Sequence, residues 1–406
     1  MPPAPSPPPR RRAGARTAVL ALALSAALAA CSSSGDQTPS GGRERPGRGA
    51  PGGTQAAPAP AEPFTVVATG DVLAYPSIWQ QAHDDAGGNG YDFHEIFAGV
   101  APIVRSADLA LCHMETVYGA PDGPFAAYPL FKAPPQIARA LVDTGYDGCS
   151  TASNHTLDDG FDGVQRTLAD MDAVGLRHAG SARSADEAAT TTMYQVKGVK
   201  VAHLAWTYGT NGLPLPDGKP WTVNVVDVPR IVAQARAARD AGAEVVLLSL
   251  HWGSEWQRQP DADQVRWAQE LTASKDPSGH KDIDLILGTH NHVPQPYAKV
   301  NGTWVVYGMG DQMANFPGAD KLQGNYSSIA RFTFTRGPAG WAVDRAEFLP
   351  QYSDPGPPFR VVNLNAALAG GTARADAYRT PLETIRAAVL SEGAAADGLV
   401  ESTDGR

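Results

Sequence analysis

The sequence has little cysteine, no excess of positive charge, and no long apolar run in its N-terminal part. It contains three cysteines among 406 residues, and its formal net charge is −9. This acidic balance gives no indication of nucleic-acid binding, which depends on basic surfaces that neutralise phosphates. The apolar run at residues 18–30 is shorter than the roughly 20 residues that a membrane-spanning helix requires, so it predicts no transmembrane segment.

The first 62 residues differ in composition from the rest of the chain. A cluster of four arginines precedes the apolar run, and this order is typical of an export signal. The run ends in Leu28-Ala29-Ala30-Cys31, which resembles a bacterial lipobox and implies cleavage before Cys31 and acylation of its thiol. We therefore expect a lipoprotein signal peptide at 1–31, a disordered Pro/Gly/Ser linker at 32–62, and lipid anchoring at the extracytoplasmic face of the cell membrane.

The other two cysteines, Cys112 and Cys149, each lie in an apolar run that predicts a strand. In an exported protein they could pair as a disulfide, and as buried residues they could equally remain free thiols. Their spacing does not decide between these alternatives.

The stretch Gly288-Thr289-His290-Asn291-His292 follows a short apolar run that predicts a buried strand. On an extended backbone, His290 and His292 would send both side chains to the same side, where they could bind one metal ion or two adjacent ions. Two surface histidines would produce the same pattern, so this stretch alone leaves the metal site open.

Four other predicted strands also end in polar residues. These strand ends carry Asp71, Glu115, the pair Asn154-His155, and His251. In open α/β sheets, ligands bind outside the carboxyl ends of the strands. Together with the two later histidines, these residues form a mixed set of carboxylates, an amide and imidazoles. We therefore predict one or two divalent metal ions at this edge, with Mn, Fe or Zn as the preferred ions. His155 is the predicted general acid or the clamp for an oxyanion.

The order of the predicted elements indicates an α/β protein with parallel strands first and antiparallel strands later. Lys197-Gly198 and Asn301-Gly302 predict hairpin turns, and a helix from Pro229 followed by a strand at 244–250 predicts a βαβ unit between them. Beyond residue 355 we expect one helix at 382–390 and a disordered end.

Six short motifs resemble those of the poly-γ-glutamate capsule synthesis (CapA) family, which is itself similar to calcineurin-like metallophosphoesterases. The motifs are Gly70-Asp71, His113-Met114-Glu115, Ser153-Asn154-His155-Thr156-Leu157-Asp158, His251-Trp252-Gly253-Ser254-Glu255, Gly288 to Val293, and Tyr307-Gly308-Met309-Gly310-Asp311. The resemblance runs from about Phe64 to Phe348. It implies a four-layer α/β/β/α sandwich of the metallophosphoesterase type at 63–350, followed by an extension at 351–406 with one helix and a disordered end.

The resemblance also implies roles for individual residues. The implied metal ligands are Asp71, Glu115, Asn154, His251, His290 and His292; the implied catalytic residues are His155 and Asp158; the implied substrate groove contains Trp252, Glu255 and Asp311. Three positions depart from the family patterns: His113 replaces an amide, Asp311 replaces an asparagine, and Leu73 stands where the wider phosphoesterases have a histidine. His113 is therefore a possible additional ligand. Trp206, Tyr208, Trp252 and Trp256 could line a groove for a polymer or belong to the core.

The function implied by the resemblance is a hydrolase centre in an exported protein of capsule or poly-γ-glutamate biosynthesis. Its expected substrate is an anionic polymer or a phosphorylated or γ-glutamyl compound. The alternative is a non-catalytic metal-binding scaffold that holds an anionic polymer or a membrane-embedded polymer synthase. We expect no nucleic-acid partner.

Overall fold

The computed structural model describes residues 61–403. The predicted signal peptide, Cys31 and almost all of the predicted linker lie outside the described residues. The strands in this range are β1 Phe64–Val72, β2 Leu109–Met114, β3 Gly148–Ser150, β4 Arg177–Ala179, β5 Thr192–Val196, β6 Val199–Thr207, β7 Val245–His251, β8 Leu285–Thr289, β9 Tyr297–Val300, β10 Thr303–Val306, β11 Asp311–Met313, β12 Tyr326–Gly337, β13 Gly340–Asp354, β14 Arg360–Asn363 and β15 Leu399–Glu401.

The helices of the same range are α1 Pro76–Asp85, α2 His94–Phe97, α3 Ala101–Arg105, α4 Gln136–Thr144, α5 Gly160–Val174, α6 Ala185–Ala188, α7 Val228–Asp240, α8 Ala262–Ala273, α9 Leu364–Ala369 and α10 Ala375–Val389. Local sequence explains several of their ends. Asp227 caps α7 by accepting a hydrogen bond from the backbone of Arg230, and a proline lies in the first turn. Across residues 61–403, no helix has the length and apolar character needed to cross a membrane.

The first sheet has the order β14-β13-β12-β1-β2-β3-β4. Its strands β1 to β4 run parallel, because helices connect them, whereas β12, β13 and β14 are antiparallel neighbours. Short strands extend this path, since β11 pairs with β1 and β15 pairs with β13. Parallel strands of one sheet present their carboxyl ends at the same edge, and that edge carries the first half of the predicted site.

The second sheet has the order β5-β6-β7-β8-β10-β9. Its central strands β6, β7, β8 and β10 are parallel, and hairpins at the two edges add β5 and β9. The predicted turns connect these hairpins. Lys197-Gly198 and Asn301-Gly302 have positive φ angles at both residues, as a tight turn between twisted strands requires.

The two sheets and their helices form four layers. One core lies between the sheets and includes Phe332 of the first and Leu247 of the second. A second core packs the other face of the first sheet against α1 to α5, for example through Ile137 and Leu168. A third packs the second sheet against α7 and α8, for example through Leu271. The predicted α/β/β/α sandwich is confirmed.

The C-terminal segment differs from the predicted extension with one helix and a disordered end. It contains two helices, and Leu382, Ile385 and Val389 of α10 enter the core between the sheets. Residues 399–401 form β15, which pairs in parallel with β13, and Leu399 is buried. The amino-acid composition of this segment does not predict its ordered structure, because the contacts that stabilise residues 399–401 are made with β13, a distant part of the chain.

Candidate metal centre

The carboxyl ends of strands from both sheets meet at one buried cluster, which we call the centre. Its side-chain atoms that could bind a metal ion form three overlapping groups, and within each group all these atoms lie within 4.8 Å of one another. The groups are Asp71, His113 and His251; Glu115, His251 and His290; and Asp71, Glu115, His292 and Asp311. The structure therefore brings together five of the six predicted ligands, the additional candidate His113, and a residue assigned to the substrate groove.

Asp71, at the end of β1, belongs to two of the three groups. Its Oδ1 is 3.5 Å from His113 Nε2 and 3.5 Å from His251 Nδ1, and its Oδ2 accepts a hydrogen bond from the backbone of His290. Glycine at position 70 makes this placement possible, because a Cβ there would lie 1.7 Å from the carbonyl oxygen of Gly310. The close approach of these two segments puts Asp71 beside Asp311 in register.

His290 and His292 reach the centre in a different way from the one expected. Strand β8 ends at Thr289, and the two histidines have φ angles of 94° and 57° rather than extended values. Positive φ is unfavourable for residues with a Cβ, so contacts at the centre must hold this backbone. The backbone of His290 donates to Asp71, and His292 Nδ1 donates to Asp311 Oδ1 at 2.9 Å.

Several buried polar atoms of the centre have no hydrogen-bond partner among residues 61–403. They are Asp71 Oδ1, His113 Nε2, both carboxylate oxygens of Glu115, His290 Nδ1 and Asp311 Oδ2. Unpaired buried polar atoms are costly and uncommon, and six of them in one cluster call for a common partner. Three carboxylates and four imidazoles have the donor chemistry of sites for divalent transition ions, so these residues could bind metal ions.

The electrostatics of the protein alone support this interpretation. Burial, followed by repulsion from Asp71, raises the pKa of Glu115 well above its usual range, and burial raises the pKa of Asp311 to about 7. Burial would lower the pKa of His292, but the carboxylates of Asp311 and Glu115 outweigh it and raise this pKa to about 10. The carboxylates thus crowd one another around a single cationic imidazole, an arrangement that a bound cation would stabilise.

The other three imidazoles of the centre are neutral. Burial lowers the pKa of His113 to about 3, with a further contribution from His251. Burial and neighbouring histidines lower the pKa values of His251 and His290 well below the usual range. Neutral imidazole is the form that binds metal, so these rings need no deprotonation before they act as ligands.

Asn154, the sixth predicted ligand, contacts the centre through His251. Its amide oxygen accepts a hydrogen bond from His251 Nε2 at 2.8 Å, and its amide nitrogen donates to Asn211 Oδ1 at 3.2 Å. Asn211 also accepts from the hydroxyl of Tyr208, whose ring lies 4.5 Å from that of His290. Asn211 was not predicted from the sequence, because it lies in the loop after β6 with no strand end or motif to mark it.

The predicted catalytic pair lies beside the centre and outside the three ligand groups. His155 Nδ1 is hydrogen-bonded to Asp158 Oδ2 at 2.6 Å, and the same oxygen accepts from the backbone of Phe131 at 2.6 Å. The ring of Phe131 packs edge-on against that of His155. Asp158 therefore fixes the orientation of the imidazole, while the catalytic roles of both residues stay predictions.

The structure corrects one of the three residues assigned to the substrate groove. Trp252 is fully buried in the core of the second sheet, where its indole donates to the carbonyl of Tyr307 at 2.8 Å. Asp311 belongs to one of the candidate ligand groups, because β11 pairs with β1 and carries it to Asp71, and its groove role stays a prediction. Glu255 is exposed and accepts from the indole of Trp256, and its groove role stays a prediction.

Of the three remaining aromatic candidates, one is buried in the core and two lie at the centre. Trp206 is buried, and its indole donates to Gln234. Tyr208 and Trp256 lie at the centre, the latter with its ring 5.3 Å from that of His292. Leu73, which replaces the expected histidine, packs with Phe131 and Phe316 in a small apolar cluster beside the centre.

Cys112 and Cys149 form a disulfide, which decides between the two alternatives that their spacing left open. The bond joins β2 and β3 at one register position, and His113 and Ser150 occupy the next. There His113 Nδ1 is hydrogen-bonded to Ser150 Oγ at 2.7 Å. The disulfide therefore lies directly beneath a candidate ligand and its supporting hydroxyl.

Comparison with known proteins identifies the family of the chain. The PGA biosynthesis protein CapA of Bacillus subtilis is 27% identical over 178 residues, which cover 43% of this chain and 44% of that protein. A probable polyglutamine synthesis accessory protein of Mycobacterium tuberculosis is 27% identical over 231 residues, covering 52% and 57%. The chain thus aligns with about half the length of these curated relatives.

Among solved structures, the calcineurin-like phosphoesterase YfkN of Bacillus subtilis is a neighbour with a TM-score of 0.44 and 17% identity, over 80% of this chain and 99% of that one. The family model described as bacterial capsule synthesis protein PGA_cap matches residues 65–315, more than half of the chain and the whole set of strand ends that forms the centre. The chain therefore belongs to the bacterial capsule synthesis protein PGA_cap family.

Proposed function

We propose that this protein is a metal-dependent hydrolase that acts on an anionic polymer, or on its phosphorylated or γ-glutamyl precursor, in capsule or poly-γ-glutamate biosynthesis. The observation that carries the proposal is the set of six buried side-chain atoms without hydrogen-bond partners, because one or two bound cations would satisfy them. Membership of the capsule synthesis family supports the polymer as the substrate class.

The residues that would hold one or two ions are those of the three ligand groups. When bound, Mn, Fe or Zn would supply Lewis-acid chemistry and lower the pKa of water at the centre. Within the protein, Asp71 and Glu115 contribute the negative charge that balances such an ion. Asn154 holds the ring of His251 in place through its amide oxygen.

His155 is the proposed proton donor. Because its Nδ1 is hydrogen-bonded to Asp158, Nε2 is the atom that carries the exchangeable proton. A protonated His155 would give this proton to the leaving oxygen or nitrogen of the substrate, and the Asp158 carboxylate would stabilise the cationic ring. We expect His155→Ala to retain the metal and to slow turnover by about 10²-fold.

The proposal includes export and a lipid anchor at Cys31, which lies outside the described residues. Support comes from the basic head, the apolar run and the lipobox-like end in the sequence. Replacing Cys31 with serine should move the protein from the membrane fraction to the soluble fraction. Unchanged fractionation together with a mature N terminus that carries no lipid would refute this part of the proposal.

The second candidate function is a metal-stabilised scaffold that holds an anionic polymer or a membrane-embedded polymer synthase. Two observations favour it: Leu73 contributes no ligand, and His251 has hydrogen-bond partners at both ring nitrogens, Asn154 and Thr289. A scaffold would bind metal without turning over any substrate.

One experiment separates the candidates. The purified full-length chain is measured for bound metal by mass spectrometry and then assayed on a phosphodiester, a phosphomonoester and γ-glutamyl oligomers, with and without chelator. We expect bound metal, turnover of at least one substrate, loss with chelator and recovery with added Mn, Fe or Zn. His94→Ala is the control, because His94 pairs with Asp92 and Asp143 away from the centre.

Bound metal without turnover of any substrate, combined with loss of synthase or polymer binding on chelation, would replace the hydrolase by the scaffold. A chain that contains no metal and gains none from solution would contradict both candidates.

A further inference from the structure

Four aromatic side chains form a continuous row from His155 to His292 beside the centre. We call this row the aromatic arc, and its members in order are Phe131, Tyr75, Phe316 and Trp256. The ring centroid of Phe131 lies 4.8 Å from that of His155, and the centroid of Trp256 lies 5.3 Å from that of His292. Between these two ends, neighbouring rings of the arc have centroids 5.0 to 5.5 Å apart. The arc therefore joins the proposed proton donor to a candidate ligand.

Tyr75 and Trp256 are the members of the arc that reach solvent. Both are half-buried, whereas Phe131 and Phe316 are only 2% and 6% exposed. The two phenylalanines pack edge-on against the ring of Tyr75 and hold it between them. The indole nitrogen of Trp256 already donates to Glu255 at 3.2 Å. Tyr75 is therefore the member of the arc whose polar group is still available.

The hydroxyl of Tyr75 has no hydrogen-bond partner among residues 61–403. Burial, followed by the carboxylates of Asp311 and Glu115, raises the pKa of Tyr75 well above its usual range, and the carboxylate of Glu255 adds to this effect. The hydroxyl is therefore within electrostatic reach of the centre and of its exposed rim. It stays protonated at neutral pH, so it is available as a neutral hydrogen-bond donor.

The backbone fixes Tyr75 beside β11. The amide of Leu73 donates to the carbonyl of Met313 at 2.8 Å, and the side chain of Asn315 donates to the hydroxyl of Ser77 at 2.9 Å. These two bonds lie on either side of Tyr75 in the sequence. Since β11 also carries a candidate ligand, the same bonds set the position of the tyrosine relative to the centre.

Tyr75 occupies the N-cap position of α1, where serine, threonine, aspartate and asparagine are the favoured residues. Its side chain makes no capping hydrogen bond, because the ring points into the arc instead. The stability of the helix therefore does not explain a tyrosine at this position. The contacts of its ring and the location of its hydroxyl do explain it.

A second tyrosine at the centre, Tyr208, is arranged differently. Its ring centroid lies 4.5 Å from that of His290, and its hydroxyl donates to Asn211 at 3.3 Å. The donor of Tyr208 is thus used within the protein, on a residue that also accepts from Asn154. The donor of Tyr75 remains free for a ligand, and this difference selects Tyr75.

We propose that Tyr75 is a catalytic residue whose hydroxyl donates a hydrogen bond to an anionic oxygen of the substrate, on a phosphoryl group or on the acyl group of a γ-glutamyl bond. This role rests on the proposed function and adds a contact with the substrate to the candidate ligands and His155. Negative charge grows on such an oxygen in the transition state, and a donor already held in place stabilises it. The hydroxyl keeps its proton throughout, and His155 supplies the proton that the leaving group takes.

The test compares Tyr75→Phe with wild type in the full-length chain with added Mn, Fe or Zn. The change removes the hydroxyl and keeps the ring that packs in the arc. For any substrate that wild type hydrolyses, kcat/KM should fall by about 10- to 100-fold, because a hydrogen bond to a charged oxygen is lost. Bound metal and melting temperature should not change.

The matched control is Tyr91→Phe. Tyr91 is also half-buried and packs against Phe125 outside the arc, so this variant removes the same group from a similar environment. Its kcat/KM should stay within twofold of wild type.

Inorganic phosphate provides a second measurement that does not depend on turnover. Its oxygens offer the same kind of acceptor as the substrate, so it should bind to metal-loaded Tyr75→Phe about fivefold more weakly than to metal-loaded wild type. Calorimetry measures both affinities, and Tyr91→Phe should bind phosphate as wild type does.

Three outcomes would overturn the proposal. If kcat/KM and phosphate affinity in Tyr75→Phe both stay within twofold of wild type, the ring alone accounts for the residue. If the variant loses bound metal, the hydroxyl acts on the ions rather than on the substrate. If Tyr91→Phe is impaired to the same extent, the effect is not specific to the arc.

The proposed function fails in a different way from this role of Tyr75. If wild type binds metal but hydrolyses no substrate, the hydrolase is refuted, whereas weaker phosphate binding in Tyr75→Phe still supports the contact between the hydroxyl and an anionic oxygen. If wild type and Tyr75→Phe hydrolyse a substrate equally well, the hydrolase stands and the catalytic role of Tyr75 is refuted.

Discussion

Two buried clusters of charged side chains in this sandwich are built in opposite ways. On β12 and β13, Arg331 and Glu347 lie opposite each other in register and pair through two hydrogen bonds of 2.9 and 2.8 Å, and Arg345 adds a third to the same carboxylate. At the centre, three carboxylates surround one cationic imidazole, and six atoms that could bind a metal ion have no hydrogen-bond partner among residues 61–403. The first cluster is satisfied by the protein itself, and the second requires something from outside it.

The comparison shows how to tell a structural ionic cluster from a functional one. A buried carboxylate with arginine partners already has its charge compensated, so it contributes to the fold and little else. A buried carboxylate without such partners lowers the stability of the fold, and a bound ligand offsets this loss. The variants below change one cluster at a time. A variant in one cluster should leave the properties that depend on the other cluster unchanged.

The largest effect is expected from the double variant His251→Ala with His290→Ala, which removes ligands from all of the overlapping groups except the one around His292. Turnover should fall by about 10³-fold or more, since several kcal/mol of transition-state stabilisation is lost. Circular dichroism should show an intact fold, because the three apolar cores are unchanged. Full activity in a variant that contains no metal would show that the centre is not catalytic.

The next effect concerns stability rather than turnover. Glu347→Ala removes the carboxylate between Arg331 and Arg345 and should lower the free energy of unfolding by about 3–5 kcal/mol, because the buried guanidinium of Arg331 loses two charge-assisted hydrogen bonds. Metal content should not change. Chemical denaturation with the exposed Glu255→Ala as control checks this prediction, and a change in bound metal would contradict the independence of the two clusters.

A pH effect should come from His203, a buried histidine outside both clusters whose ring, within the described part of the chain, hydrogen-bonds only Ser249. Burial lowers its pKa from 6.5 to about 4 in the folded state. The unfolded chain therefore binds the proton more tightly, and stability present above pH 6.5 is lost as pH falls toward 4, by up to about 3 kcal/mol.

In His203→Gln, the slope of the free energy of unfolding between pH 6.5 and 4 should be shallower than in wild type. Denaturation at several pH values measures this slope, with and without bound metal. An identical slope in wild type and variant would show that His203 is not the titrating group.

The smallest effect is expected from Asp311→Asn, which restores the residue of the family pattern. It should weaken metal binding by about tenfold, because one carboxylate of its group becomes a neutral amide. Metal titration followed by calorimetry checks this prediction, and tighter metal binding in the variant would contradict the ligand role of Asp311.

Much of the centre could be predicted from the sequence because its ligands follow strands. Asp71, Glu115, His251 and the two histidines after β8 all lie where an apolar run stops, and parallel strands bring their carboxyl ends to one edge. Trp252 could not be assigned in this way. Trp252 belongs to the same motif as His251, but its neighbours on the second sheet bury it. The motif alone does not indicate which of two adjacent side chains faces the core.

The sequence by itself determined the hairpin turns at Lys197-Gly198 and Asn301-Gly302, the strand ends that carry ligands, and the family of the chain, because each depends on residues close together in the chain. Only the tertiary structure decided that Asp311 joins Asp71 and that Cys112 bonds Cys149. It also decided that His290 and His292 reach the centre with positive φ and that residues 399–401 form a strand on β13. These features depend on contacts between segments distant in sequence, and the pattern within either segment does not specify its partner.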